Sequence, residues 1–222
     1  SKSYENKIIL DKLSLKVAYG EVLCISGLNG SGKSTLIRIL AGLIKPDSGK
    51  IFINGNQIIT NNSSFRKNFG VLLDSKMIYE NMSVLENLKF SSALYNIENP
   101  KKEIASVTKI LGIYDLLDTR VKNLSKGFKK RTELAKVLLH KPKIILLDEP
   151  EINLDKNSIK ILKEIILSES KRGSAVILCT HSEGFMSEVG KRFISIDNGE
   201  LINSKSKWKI HSQYSNIFFG KI

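Results

Sequence analysis

Three glycines, a lysine and two serines stand together in Gly27-Leu28-Asn29-Gly30-Ser31-Gly32-Lys33-Ser34, and Thr35 follows them. Glycines at this spacing let backbone N–H groups close around phosphate oxygens. A helix opening at the end of the loop would aim its positive N-terminus at the same charge. In that pattern Lys33 reaches the β- and γ-phosphates of a nucleotide, Ser34 ligates Mg²⁺ and Thr35 donates to the α-phosphate, while Asn29, Gly30, Ser31 and Gly32 build the cradle. A second constellation closes an aliphatic run, Ile144-Ile145-Leu146-Leu147-Asp148-Glu149-Pro150. Beside a phosphate loop, the strand-end Asp148 suits orienting Mg²⁺ and its waters, and Glu149 suits acting on the attacking water.

These side chains need a scaffold. Residues 22–26 form a short apolar run entering the loop, and residues 33–43 are predicted to be helical. Apolar runs at 69–73, 143–148 and 174–180 read as buried strands. Residues 8–17 alternate apolar and polar as antiparallel strand does, and 51–55 enters an Asn54-Gly55 hairpin turn. Helical spacing appears over 83–95, 100–111, 126–140, 156–171 and 183–190, with Pro100 suited to a first helical position. In 126–140, Phe128, Leu134, Val137 and Leu138 share one side, and Lys129, Lys130 and Arg131 fall mostly on another. Residues 61–64 read as polar loop, and 193–197 and 200–202 flank an Asn198-Gly199 turn. Strands alternating with helices imply an α/β fold with a mostly parallel sheet covered on both faces, its ligands at the carboxyl ends of the strands. Gly27, Asp148-Glu149 and His181 all lie at such ends. The helices over 74–122 have no strand between them and read as an insertion.

The chain of 222 residues is long enough for one large domain with a core. Its net charge of +13 reads as a lysine-rich composition spread over solvated faces, with local clusters at Lys126/Lys129/Lys130/Arg131 and Lys205/Lys207/Lys209. No apolar run approaches the roughly 20 residues that span a bilayer. Cys24 and Cys179 sit inside apolar runs, as core residues of a reduced compartment do. The N-terminus lacks the order of a signal peptide, and the missing initiator Met implies an incomplete gene product.

With the motifs in this order, the chain resembles the nucleotide-binding subunit of ABC-type ATPases from Tyr4 to Ile202. Leu124-Ser125-Lys126-Gly127-Phe128 matches the family's signature motif, Asn153-Leu154-Asp155 its D-loop, and Thr180-His181 its switch histidine. Tyr4 precedes Ile9-Leu10-Asp11 at the spacing of its adenine-stacking aromatic. The resemblance implies a P-loop NTPase core with a mostly parallel sheet, an antiparallel β subdomain and an inserted α-helical subdomain. The single domain then divides into a core over 1–73 and 143–203, a helical part over 74–142 and a tail over 204–222. It further implies ATP with Mg²⁺ as cofactor. His181 falls on the γ-phosphate, and Asp74 holds a Mg²⁺-bound water at the start of the coupling loop. Ser125 and Gly127 act in trans on ATP held by a second copy or a similar ATPase subunit.

The implied function is an ATP hydrolase that drives a membrane permease, an exporter, from the cytoplasmic face of the membrane. The permease's cytoplasmic helices would dock around residues 74–87. The alternative is a soluble, non-transport ABC-type ATPase serving iron–sulfur assembly or the ribosome; nucleic acid is not the expected partner. Three residues depart from the family's usual ones. Lys126 replaces a signature glycine, as in a drug and peptide export and immunity branch. Asp74 stands for glutamine, and Asn153 replaces a small D-loop residue while tolerating left-handed backbone. His140 and His211 carry no comparable context. The tail, with Trp208, Tyr214, Phe218 and Phe219, is expected to pack on its own domain.

Overall fold

The computed structural model describes residues 1–5, 7–58, 66–74, 77–203 and 216–220. The polar loop expected at 61–64, the Lys205/Lys207/Lys209 cluster, Trp208, His211 and Tyr214 lie outside the described residues.

The central sheet has six strands. Val22–Ser26 (β4), Phe69–Leu72 (β7), Ile144–Asp148 (β8), Ala175–Cys179 (β9) and Arg192–Asp197 (β10) run parallel, and Glu200–Asn203 (β11) adds an antiparallel edge, in the order β11-β10-β4-β9-β8-β7. Strands β8 and β9 are buried at every position, as unbroken aliphatic runs require when both sheet faces are covered. Successive side chains alternate between the faces. Val22, Cys24, Ile145, Leu147, Val176 and Leu178 enter one core; Leu23, Ile25, Ile144, Leu146, Ala175 and Ile177 enter the other.

The second core holds the helix that follows the phosphate loop, Lys33–Leu40 (α1), together with residues of Lys7–Leu10 (β2), Leu15–Ala18 (β3) and Lys50–Ile53 (β5). Lys2–Tyr4 (β1) pairs with β2 in a two-stranded ribbon. Asn56–Gln57 (β6) returns on β5 through Asn54 and Gly55, both at positive φ as a tight hairpin turn needs.

The first core collects the helices Val84–Leu94 (α2), Pro100–Ile110 (α3), Lys126–Leu138 (α4), Lys156–Lys171 (α5) and Glu183–Val189 (α6). Each fully buried Leu, Ile or Val there removes apolar surface worth about 1.5–3 kcal/mol. Between β7 and β8 the described residues contain helices and 3₁₀ turns and no strand. The entry to α2 is fixed locally: Ser83 Oγ accepts the Glu86 N–H at 3.1 Å, and Glu86 accepts the Ser83 N–H at 2.7 Å. Buried Asn87 then pins the preceding turn, bonding Tyr79 N, Tyr79 O and Ser83 O.

Three expectations are corrected. Residues 8–17 are two strands in different sheets, because the chain turns at Lys12 (φ 42°). Helix α1 stops at Leu40, three residues before the predicted end. Gly42 takes φ 70°, its N–H bonds Ile39 O at 3.0 Å and the Leu43 N–H bonds Arg38 O at 2.9 Å, a Schellman ending. Arg131 is buried rather than on a solvated face. The expectation that the tail packs on its own domain holds for residues 216–220: Asn216–Gly220 (β12) pairs antiparallel between β3 and β5, completing a four-stranded sheet in the order β3-β12-β5-β6.

Candidate active site

Strand β4 delivers the chain to Gly27, and the loop then turns through Gly30 (φ 80°) and Gly32 (φ 104°) into α1. Gly32 is confined twice. Its backbone is left-handed, and a Cβ there would stand 2.6 Å from Leu10 Cδ2 and 2.9 Å from Ile9 O. No side chain caps the start of α1 and no acid occupies its first turn, so its N–H groups remain for an anion. Lys33 is nearly buried. Its Nζ donates to the carbonyls of Gly27 (2.8 Å) and Leu28 (3.1 Å) and lies 3.9 Å from Glu149 Oε1. The lysine is thus tethered inside the loop it would serve.

A cleft of about 420 Å³ opens over the loop, lined by Tyr4, Ile9, Asn29, Gly30, Gly32, Lys33, Ser34, Thr35, Asp74, Glu149, Ile152 and His181. The floor is electrostatically unfinished. Asp148 ends β8 at 1% exposure, and neither carboxylate oxygen has a hydrogen-bond partner. Burial raises its pKa above the usual carboxylate range. The Ser34 hydroxyl draws it down without reaching hydrogen-bond geometry, Arg38 and Lys33 also lower it, and Asp74 raises it. Two orphaned carboxylate oxygens beside a serine hydroxyl and a second aspartate form a hard-oxygen donor set, so the residues fit a cation such as Mg²⁺. Among the described residues no group of three His, Cys, Asp or Glu side chains could hold a metal alone. That agrees with an ion whose remaining ligands are phosphate oxygens and waters.

Glu149 leaves the strand at φ 48°, an uncommon conformation for a non-glycine residue. Its N–H bonds Cys179 O at 2.9 Å, which ties the end of β8 to the end of β9. Its Oε2 lies 2.9 Å from His181 Nδ1, an ion pair when the ring is protonated and a hydrogen bond otherwise. The carboxylate therefore faces the phosphate loop through Lys33 and the cleft mouth through His181, where it could accept a proton from water.

The sequence-predicted residues divide into two places. Tyr4, Asn29, Gly30, Gly32, Lys33, Ser34, Thr35, Asp74, Glu149 and His181 share the cleft, and Asp148 lies beside Ser34 and Asp74. Ser31 supports the loop from within, its buried Oγ 2.6 Å from where a Gly27 Cβ would stand. Ser125 and Gly127 do not line the cleft. Ser125 caps α4, its side chain 3.4 Å from the Phe128 N–H, and a Gly127 Cβ would meet Asp155 Oδ2 at 3.4 Å. Asp155 in turn caps α5 through the Ser158 N–H at 2.7 Å.

Residues 10–151 match the family described as ABC transporter. The chain belongs to that family. It is 32% identical over 193 residues to the ABC transporter ATP-binding protein NatA of Bacillus subtilis (strain 168), covering 86% of this chain and 78% of that one. It is 30% identical over 217 residues to the linearmycin resistance ATP-binding protein LnrL of the same organism, covering 96% and 69%. Relatives of similar identity include subunits named for import. A solved structure described as the ATP-binding subunit of an ABC transporter superposes with a TM-score of 0.84 at 25% identity, over 91% of this chain and 86% of that one. As an ABC ATP-binding domain the chain is an ATPase, with ATP as its nucleotide.

Within this ABC ATPase, Asn153 sits at φ 65°, the left-handed turn for which asparagine is suited. Lys126 is exposed at the start of α4, while Lys129 pairs with Glu80 at 3.1 Å, so the basic cluster is partly neutralised. Sequence reasoning missed two residues. Arg131 bonds Ser158 Oγ through Nε (3.0 Å) and Nη2 (2.7 Å) and Leu111 O through Nη1, joining the signature helix to α5. Its place among lysines hid this, since only tertiary packing distinguishes it. Glu151 bonds the Thr180 hydroxyl behind the Glu149–His181 pair. Its only sequence signal was a third acid just past Asp148-Glu149.

Proposed function

We propose that this ATPase powers a membrane permease, an exporter, by closing on ATP head to tail with a second copy or a similar subunit and reopening after hydrolysis. The carrying observation is the convergence of Lys33, Glu149 and His181 from three neighbouring strand ends onto one cleft, with Asp148 beside its Ser34 and Asp74. Tyr4, 46% exposed at the cleft edge, stacks on adenine. The loop amides and Lys33 take the β- and γ-phosphates, Lys33 exchanging the Gly27 and Leu28 carbonyls for phosphate oxygens. Ser34, Asp148 and, through water, Asp74 would hold Mg²⁺, which when bound neutralises charge on the transferring phosphoryl group. Glu149 orients the attacking water and accepts its proton, and His181 steadies the γ-phosphate.

Ser125 and Gly127 stand outside their own cleft at an exposed helix start, an arrangement suited to capping the γ-phosphate of ATP held by the paired subunit. In this reading residues 1–73 and 143–203 form the core with the antiparallel part, which β12 joins, and residues 74–142 form the helical part. No described helix is long and apolar enough to cross a membrane; in this reading the permease lies in the membrane with the ATPase on its cytoplasmic face. A depression of about 530 Å³ beside residues 74–87, walled by Leu72, Met77, Tyr79, Phe90 and Leu94, offers its cytoplasmic helices an apolar seat. Export is favoured by the Ser-Lys-Gly signature followed by a basic run. Efflux from loaded vesicles containing the permease would check that direction, and ATP-driven accumulation from outside would reverse it.

Glu149→Gln tests the chemistry. Turnover should fall by at least about a hundredfold, as loss of a catalytic base does, with ATP retained and dimer favoured on a sizing column. Hydrolysis at the wild-type rate would remove Glu149 from its role.

A further inference from the structure

Glu151 lies two residues beyond Glu149 and does not line the nucleotide cleft. Its Oε1 accepts the hydroxyl of Thr180, a residue with no exposure, and the same hydroxyl oxygen accepts the Ser182 N–H at 3.0 Å. The neighbours of His181 are therefore linked: Thr180 to the Glu151 carboxylate, and Ser182 to the Thr180 hydroxyl. Its other oxygen, Oε2, is buried without a partner, and burial with the nearby Glu149 charge pushes the acid's pKa up. A partly buried acid with one unsatisfied oxygen costs stability, and its position invites a reason.

The surrounding ties supply one. The Glu149 N–H to Cys179 O bond and the Glu151 to Thr180 bond join the same two loops in succession. His181 follows directly, with Nδ1 2.9 Å from Glu149 Oε2. Its side chain is 60% exposed, so packing does little to hold it. The backbone carrying it must do so instead.

We propose that Glu151 is a positioning residue for the ATPase reaction: through the Thr180 hydroxyl it fixes the 180–182 turn that holds His181 against Glu149. The inference rests on the reading of Glu149 and His181 given above. It treats Glu151 as a hydrogen-bond anchor that touches neither nucleotide nor water.

The test is steady-state ATP hydrolysis by the full chain, with melting curves to establish that each variant is folded. Glu151→Ala and Thr180→Val should each lower kcat about tenfold or more while the KM for ATP stays within about twofold, the split expected when orientation rather than binding is lost. Glu151→Gln and Thr180→Ser, which keep the hydrogen bond, should return most of the rate. Adding Glu151→Ala to His181→Ala should slow the enzyme no further. If His181→Ala is impaired but Glu151→Ala and Thr180→Val are not, this inference falls and the site reading stands. If His181→Ala turns over normally, the site reading falls and takes the inference with it. Glu151→Gln as slow as Glu151→Ala, or multiplicative losses in the double variant, would overturn the hydrogen-bond anchor. Should Glu151→Ala fail to fold, Thr180→Val against Thr180→Ser decides: slow against normal supports the inference, and both normal overturns it.

Discussion

Asp148→Asn should stabilise the nucleotide-free protein and remove its response to Mg²⁺. Asp148 is 1% exposed and both its oxygens lack partners, so its charge is desolvated with no hydrogen bond in return. An unsatisfied buried charged group costs about 1–3 kcal/mol or more. Lys33, Arg38 and the Ser34 hydroxyl offset part of that, and the new amide brings its own unmet donors, leaving a net gain of about 1 kcal/mol. At this chain length that is about 2–4 °C in Tm. The sign follows from the raised folded-state pKa. A group raised on folding contributes stability below its unfolded pKa, about 3.9 for aspartate, and loses it as pH rises through the folded value. The Tm gap between Asp148→Asn and wild type should therefore be small near pH 4 and open toward neutrality. With Mg²⁺ and ATP the order should invert. At one hundred times Kd, binding adds about 2.7 kcal/mol to wild type, and the variant should lose the Mg²⁺-dependent part. Differential scanning fluorimetry across pH, with and without Mg²⁺–ATP, measures both arms. A variant that melts at or below wild type at pH 7 without nucleotide, or that gains the full Mg²⁺-dependent shift, would refute the orphaned-carboxylate account.

Gly32→Ala combines a left-handed backbone with a 2.6 Å clash, so it should lower stability by about 1–3 kcal/mol and weaken ATP binding, read by melting and nucleotide titration. Ser83→Ala removes the capping box of α2 and should cost about 1 kcal/mol, visible as an earlier denaturant midpoint, while ATP binding by the isolated chain stays at wild type. Tyr4→Ala should raise the KM for ATP with little change in kcat, and Tyr4→Phe should behave as wild type, since the proposed contact uses the ring face.

Much of the fold was legible because its signals are local. The runs Ile144–Asp148 and Ala175–Cys179 are too aliphatic for anything but strands buried on both faces. Helix Lys156–Lys171 follows its helical spacing, and the structure adds an Asp155 cap through the Ser158 N–H. The early stop of α1 was also written in the chain, at Gly42, although helical spacing ran past it. By contrast, β12 could not be placed from sequence. A short apolar run after a long connection carries no mark of the strands it will join, and its partners lie some 200 and 165 residues away in sequence.

Residue type and spacing marked the candidate nucleotide residues, Gly27 through Ser34 and Asp148-Glu149, without any fold. Tertiary structure decided how those residues meet. Parallel register brought the ends of β4, β8 and β9 to one edge, so that Lys33, Glu149 and His181 form a chain of contacts although 148 residues separate the first from the last. It also decided that Asp148 would be an unpartnered charge, that Arg131 would be interior, and that Glu151 would accept the Thr180 hydroxyl one residue before His181. Burial and hydrogen-bond satisfaction belong to the folded environment, and a residue's type limits but does not fix them.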